Sequence, residues 1–317
     1  MENDVSKFDL NLLASLDALL REKNVTVAAE KLGVSQPTMS GMLNRLREHL
    51  NDPLLVRVGR SFELTPRARE LADQLRQTIL IVDTLVASKA NFDLAKTERH
   101  LRIMASDASL LLVAPYIFRA AALAAPGLTF EVVPVDSPVQ GVYQGDVDLC
   151  LTGDTVGEVE GGAASVLRTK ILAWETSVGI VDRAHPLDGD VSFDQFLSYP
   201  YVAASFPGIL RTAEDNIMVG LSRQHPPRIR VPSFLAIGAV VSGTQMIGIM
   251  PSRMIPLLPP LWNLKTINLP MEFTRISLRA LWHCCHDDDP VHQWLRATAV
   301  AASAELMTTR PTTAEEC

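Results

Sequence analysis

No stretch of the 317-residue sequence comes near the run of about twenty apolar residues that a helix needs to cross a bilayer. The opening MENDVSKFDLN is too polar for a signal peptide, which argues for the cytoplasm. Cysteine is scarce, and Cys150, Cys284, Cys285 and Cys317 form no regular disulfide framework, as expected in a reducing compartment. A GxSxG elbow, a Walker loop, a dinucleotide-binding glycine fingerprint and an HExxH run are all missing. No catalytic constellation is therefore in view, and neither enzyme activity nor a cofactor is expected. The net charge of −7 speaks against indiscriminate coating of nucleic acid, so any such contact has to be local. With 47% hydrophobic residues the chain can bury a large core, and its length suits two or three domains.

The segment TVAAEKLGVSQPTMSGMLNRL, Thr26 to Leu46, packs two helix starts, one glycine and one proline into some twenty residues. Thr26 is predicted to cap a first helix with Ala29 and Leu32 on its inner face, and Gly33 to end it. Val34 is an apolar plug between the helices, Ser35 a cap for the second, and Pro37 falls in its first turn, where no internal hydrogen bond is lost. Met39, Leu43, Leu46 and Leu50 line one face of that second helix. Gln36, Pro37, Thr38, Ser40, Gly41 and Asn44 are left facing out. This small, uncharged, hydrogen-bonding rim suits close approach to base edges in a major groove. A plain helix hairpin with a solvated face is the competing reading.

The next residues favour nucleic acid. DPLLVRVGRSFELTPRA reads as a hairpin with strands at Leu55 to Val58 and Ser61 to Leu64, and with Arg57 and Arg60 at its tip. From Lys31 to Arg69 there are seven Lys or Arg (31, 45, 47, 57, 60, 67, 69) against three acids (48, 52, 63). A basic island on an acidic chain is the footprint of a surface that meets phosphates. The unit reads as a winged helix-turn-helix, backed by a stripe of Leu12, Leu13, Leu16, Leu19 and Leu20. Thr65 and Pro66 then begin a helix running to about Ala90. Its seam of Leu71, Leu75, Ile79, Val82 and Val86 calls for a partner, and dimerisation would put two recognition helices on paired half-sites.

After a polar hinge, strands alternate with helices from Leu101 onward. LRIMAS, LTFEVVPV, VDLCLTG, SVGIVD, YVAAS, RIRVP, MIGIMP, LKTINLP and RISLRALWHC read as strands, and DASLLLVAPYIFRAAALAAPG as one helix. The alternation implies mostly parallel, doubly wound α/β sheets in two lobes. The expected layout is residues 1–65 for the winged domain, 66–90 for a dimerising linker helix and 91–97 for a hinge. Residues 98–306 form the effector domain, with lobe 1 about 98–171 and 273–306 and lobe 2 about 172–272, before a disordered tail at 307–317.

The stretch from Phe8 to Ala68, with its T-x-AA-x-x-L-x-x-SQP-x-x-S core and the following R-x-x-R and LTP, resembles the N-terminal domain of the LysR-type transcriptional regulators. The layout agrees along nearly the whole chain. DLNLL, DPLLVR and WHCCHDDDPVHQWLR are similar to the branch of the nodulation, naphthalene and salicylate regulators, whose members commonly respond to aromatic compounds. The resemblance implies a winged helix-turn-helix, a dimerising linker helix and a two-lobed, periplasmic-binding-protein-like effector domain. It also implies a homotetramer that bends double-stranded promoter DNA and alters the bend when a small molecule enters the cleft, with RNA polymerase as a further candidate partner. Carried over by residue, Gln36, Pro37, Thr38 and Ser40 read the groove and Arg57 lies in the wing, with Thr26, Ser35, Arg45 and Arg60 as further DNA-contact candidates. Many members carry a basic residue where Gly41 stands, so one familiar contact is absent here.

Ligands of open α/β sheets gather beyond the carboxyl ends of strands. That places Ser106, Asp107 and Ser109 at the cleft mouth, with Thr152, Gly153, Ser205, Phe206, Ser233 and Phe234 around it; Phe206 and Phe234 could flank an aromatic ring, and His283 could touch the effector. For the serines, helix capping is the competing role, and for the phenylalanines the core. HCCHDDD, His283 to Asp289, holds metal-ligand types, which keeps a metal- or redox-responsive regulator as an alternative. If 283–286 continue the strand, successive ligands point to opposite faces and no site converges, so no metal is assigned. The bland outcome is a strand end followed by an Asp-capped helix holding Trp294 and Leu295. A solute-binding protein, the remaining alternative, fits the two lobes but not the basic N-terminal unit.

Overall fold

The computed structural model describes residues 8–9, 11–59, 61–86, 92–153, 163–208, 225–270 and 275–308. The chain divides between residues 88 and 89 into two compact units.

In the first unit α1 (Leu12–Glu22), α2 (Val25–Lys31) and α3 (Gln36–Leu50) precede a hairpin of β1 (Leu55–Val58) and β2 (Ser61–Leu64), and α4 (Pro66–Val86) follows. Both strands fall on the predicted residues, and the hairpin pairs Leu55 with Leu64 and Val58 with Ser61. Leu12, Leu16, Leu19 and Leu20 of α1 share one core with Ala28, Ala29, Met39, Leu43 and Leu46. Burying these apolar faces drives the three helices together.

Two local expectations are corrected. Asn24 rather than Thr26 caps α2: the Asn24 side chain accepts from the Thr26 and Val27 amides at 2.9 and 3.3 Å. Asparagine caps at least as well as threonine, and the chain is still extended at Asn24 (φ −146°, ψ 117°), so the helix begins one residue later at Val25. Leu32 is exposed rather than inward. The helix ends at Lys31, Gly33 turns the backbone through the left-handed region (φ 65°), and Leu32 borders a surface groove with Leu13, Ile79 and Val82.

Thr65 caps α4 through its Oγ1, which accepts from Ala68 N at 3.0 Å. Along the seam Leu75 is buried, Ile79 is half-buried against the core, and Ile81 and Val82 are exposed. The Val86 side chain and residues 87–91, over which the helix is predicted to continue, lie outside the described residues, as do Arg60 and residues 309–317 of the tail.

The second unit opens with β3 (Arg99–Ala105), α5 (Asp107–Leu112), α6 (Ala114–Ala124), β4 (Leu128–Pro134), α7 (Pro138–Tyr143), β5 (Leu149–Thr152) and α8 (Ala163–Val166). The long β6 (Leu167–Asp182) leads to α9 (Phe193–Leu197), β7 (Tyr201–Ala204), β8 (Ile229–Val231), α10 (Phe234–Val241), β9 (Ile247–Pro251) and β10 (Leu264–Ile267). Last come β11 (Arg275–His283) and α11 (Pro290–Thr308). The single helix predicted from Asp107 is two, broken at Val113 (φ −111°). Pro115 follows, which has no N–H for a carbonyl of the preceding turn.

Among the described residues the strands run β4-β3-β5-β11-β6-β9-β7-β8, with β10 beside β6. The expectation of mostly parallel sheets is corrected. β3 lies parallel to β4 and β5, and β7 to β8 and β9, while β11 is antiparallel to β5 and β6, and β6 is antiparallel to β9 and β10. The reason is the crossing between lobes: β6 passes from one to the other as a single strand and β11 returns beside it, with no crossover helix to restore the parallel direction. On β6 the partner changes from β11 at Thr176 to β9 at Ser177. The lobe of β3, β4 and β5 packs Ile117 of α6 and Leu295 of α11 over Leu101, Ile103 and Leu149. The other lobe buries Phe196, Tyr201, Ile247 and Ile267 in one cluster and Ile180, Ile237 and Met250 in another.

Candidate functional site

In the first unit the polar rim of α3 is built from the cap outward. Ser35 Oγ accepts from Thr38 N at 3.3 Å and lies 2.7 Å from Thr38 Oγ1, which satisfies donors at the start of α3. Met39, Leu43 and Leu46 are buried, so helical periodicity turns Gln36, Pro37, Thr38, Gly41, Asn44 and Arg45 outward, with Ser40 half-buried among them. Gln36 Nε2 donates to Ser40 Oγ at 3.4 Å along the same face. Thr26 is exposed in the first turn of α2.

The basic residues of this unit divide by role. Arg47 Nε donates to Pro53 O at 2.9 Å, so this arginine braces the turn before the hairpin. Lys31 pairs with Glu22 at 2.6 Å, and Arg45 with Asp9 at 2.7 Å, which with the Asn11 amide holds the Asp9 carboxyl below the usual range. Arg57 is exposed, and its Nε donates to Gly59 O at 3.2 Å. The described residues of the rim and the wing are mostly exposed.

In the second unit a cavity of about 70 Å³ lies between the lobes. Ser106, Ser109 and Leu112 line it from the start of α5, and Thr152 and Gly153 from the end of β5. Phe206 and Phe234 close the opposite side, with ring centroids 5.9 Å apart at 53°. Six of the predicted effector residues are thus brought together: Ser106, Ser109, Thr152, Gly153, Phe206 and Phe234. Ser106 also caps α5, its Oγ accepting from Ser109 N at 3.2 Å, so capping and lining coexist.

The other four do not line it. Ser205 N donates to Val231 O at 2.9 Å in the continuation of the β7–β8 ladder. Ser233 caps α10, its Oγ accepting from Ala236 N at 3.1 Å, and the same hydroxyl donates to Asp107 at 2.8 Å. Asp107 borders an open cleft beside the cavity instead. His283 ends β11 and its Nδ1 accepts from Cys285 N at 3.1 Å. It stands six residues beyond Ser277 of the cavity wall, roughly 20 Å along the strand.

Three lining features were not anticipated: Glu175 and Ser177 on β6, the Ile249–Pro251 end of β9, and Ile276, Ser277 and Leu278 on β11. Glu175 is the single charge between Ile171 and Val181, and that was the available signal. Its Oε1 accepts from Arg253 Nη1 at 2.7 Å, from Thr176 N at 3.1 Å and from Ser252 Oγ at 3.4 Å. Burial raises its pKa, and the Arg253 guanidinium opposes that rise.

The HCCH stretch is, as expected, a strand end before an Asp-capped helix holding Trp294 and Leu295, with one correction. The strand stops at His283, and Cys284–His286 is a 3-10 turn rather than more strand. Trp282 Nε1 donates to Asp287 at 2.8 Å, and Asp289 accepts from the amides of Val291 and His292, capping α11. Among the described residues no group of three or more His, Cys, Asp or Glu is placed to hold a metal ion.

Residues 10–69 match the bacterial regulatory helix-turn-helix domain of the lysR family, and residues 95–304 match the LysR substrate binding domain. The chain belongs to the LysR family of transcriptional regulators. Its first unit is the DNA-binding domain of such a regulator and its second the effector-binding domain. Among LysR relatives, nodulation protein D 2 of Rhizobium leguminosarum bv. phaseoli is 32% identical over 301 residues, covering 94% of this chain and 93% of the relative. Nodulation protein D 1 of Mesorhizobium japonicum is 31% identical over 300 residues, covering 94% of each chain. The fold is shared with a full-length OxyR variant from Pseudomonas aeruginosa, at TM-score 0.72 and 15% identity over 96% of this chain and 98% of that one. It is shared too with full-length CbnR in complex with its target DNA, at TM-score 0.60 and 16% identity over 93% of this chain and 100% of the other. Among the described residues no helix is long and apolar enough to cross a membrane.

Proposed function

We propose that this LysR-type regulator works in the cytoplasm, without catalysing a reaction, and places its DNA-binding heads according to a small planar aromatic effector held between the lobes. The observation that carries this reading is the Phe206–Phe234 pair, two tilted rings 5.9 Å apart on the wall of a largely apolar cavity. Such rings favour a flat, polarizable ligand. Around them Ser106, Ser109, Thr152 and Gly153 supply the few polar groups that orient it, in the usual manner of small-molecule sites.

The volume supports a switch. A cavity of about 70 Å³ is smaller than the roughly 150 Å³ that encloses a benzene in a protein core. Aromatic binding therefore opens the lobes, and only the difference in affinity between the closed and open forms shifts the equilibrium. The domain layout follows the expected division, with the helix from Pro66 dimerising and the dimers pairing to a homotetramer. The exposed Ile81 and Val82 on that helix support the first step. On DNA, Gln36, Pro37, Thr38 and Ser40 read base edges, while Thr26, Ser35, Arg45, Arg57 and Arg60 engage the backbone; RNA polymerase is the downstream partner.

The test uses the full-length protein. A duplex is selected from random sequence and titrated in gel shifts at several salt concentrations, with and without one- and two-ring aromatic compounds. The expected result is selective binding at least about 10³ above bulk DNA that weakens as salt rises and shifts with the aromatic. Selective binding that no aromatic alters in mobility or affinity removes the effector assignment.

A further inference from the structure

Glu175 presents two oxygens with different surroundings. Every hydrogen bond it receives among the described residues ends on Oε1: from Arg253, Thr176 and Ser252. Oε2 receives none from those residues. The side chain is 10% exposed and lines the cavity, whereas its partner Arg253 approaches from the turn beyond β9 and is not part of the wall. Among the described residues Glu175 is also the one charged side chain on that wall.

We propose that Glu175 Oε2 is the anchor of the effector, so that the cavity selects an uncharged ring compound that donates an O–H or N–H hydrogen bond and rejects carboxylates. The inference rests on the aromatic-effector reading above and narrows it. Oε2 is not among the fully buried unpartnered atoms, so it is accessible, and a ligand donor that meets it forms a charge-assisted bond in a largely apolar setting. A ligand carboxylate entering the same space would meet Glu175 with no lysine, arginine or histidine among the described wall residues to neutralise it. The bond also acts at a mechanically relevant place. Glu175 pairs with Ile276 of β11 one residue before that ladder ends and two before β9 takes over at Ser177, so a ligand held there pulls on the strand that joins the lobes.

A purely structural role for the ion pair is the competing account, and three probes of one shape separate the two. Full-length protein is titrated calorimetrically with 2-naphthol, 2-methoxynaphthalene and 2-naphthoate, and with the one-ring set of phenol, anisole and benzoate. The donor compound of a set is expected to bind at least about fivefold more tightly than its ether and its acid, the factor that one net hydrogen bond supplies. Glu175→Gln, which exchanges the free acceptor for an amide, is expected to erase that preference. If the variant does not fold, the wild-type comparison alone decides. A preference below that factor, or tighter binding of the acid, overturns the assignment of Glu175 and leaves the aromatic reading standing. Binding by none of the six compounds overturns the aromatic reading and the assignment with it.

Discussion

Asp107 at the first position of α5 accepts at Oδ2 from Ser233 Oγ at 2.8 Å and from Leu235 N at 2.9 Å, at the start of α10 in the other lobe. Both residues were read from sequence as effector contacts. Together they are a clasp: a carboxylate from one lobe satisfies free donors at a helix N-terminus of the other.

Removing the clasp has two consequences of opposite sign. Asp107→Ala deletes two charge-assisted hydrogen bonds, at a cost of about 2 kcal/mol in urea unfolding of the ligand-free protein. Because ligand entry requires the lobes to part, the same change raises effector affinity in calorimetry by enlarging the open population. Unchanged or weaker effector binding in a folded Asp107→Ala protein contradicts the closed-cavity account.

At the DNA face, base reading and phosphate contact separate by salt. Gln36→Ala and Ser40→Ala are expected to narrow the ratio of selective to bulk binding by about 1–3 kcal/mol with the salt slope kept. Arg57→Ala is expected to weaken all duplexes alike and to lower the slope by about one. Filter binding from low to moderate salt measures both, and a salt slope unaltered by Arg57→Ala rules out a phosphate contact from that residue.

The wing depends on a knot beneath it. Asp52 Oδ1 accepts from Leu54 N at 2.7 Å and Thr65 Oγ1 at 2.6 Å, and holds the buried Leu54 in the left-handed region at φ 61°. A leucine keeps that backbone only when its surroundings enforce it. Asp52→Ala should destabilise the first unit by about 1–3 kcal/mol and lower affinity for every duplex, as followed by thermal unfolding and gel shift.

Acid sensitivity is expected of the second unit. His292 is buried, with Nδ1 facing Arg296 Nη1 at 2.7 Å and Nε2 facing Asp148 O at 2.8 Å; the arginine can only donate, so Nδ1 accepts and has no room for a proton. Burial first, then His286 and Arg296, push its pKa down to about 3, with the Asp148 carbonyl and Asp289 opposing. A histidine depressed in the folded state favours folding above its unfolded value of about 6.5, and that stability is lost as pH falls toward the folded value. Between pH 7 and pH 5 the loss is on the order of 2 kcal/mol, visible in urea midpoints. His283 and His185, both lowered by burial, add the same sign. His292→Gln is expected to flatten the slope, and an unchanged slope would acquit this residue.

How much of this was legible depended on the reach of the forces involved. The Ser35 cap, the buried Met39–Leu43–Leu46 face, the two hairpin strands and the Thr65–Pro66 start of α4 all follow from contacts within a few residues, and spacing alone exposes them. Six cavity residues were legible for a related reason, since strand ends and helix starts are local features and a doubly wound sheet gathers them. Glu175, Ser177 and Ser277 were not, because they lie mid-strand, and nothing local says that β6 and β11 are the two strands crossing between lobes.

The amino-acid pattern alone settled the helix-turn-helix, the wing, the exposed polar rim and the alternation of strands with helices, because hydrophobic period, caps and turns act over one or two turns of chain. Only the tertiary arrangement decided that Asp107 and Ser233 hold each other, that His283 stands far from the cavity, and that the Glu175 carboxylate faces into it. Those outcomes depend on which distant segments meet, and pairing across 126 residues, as between Asp107 and Ser233, leaves no mark in local spacing.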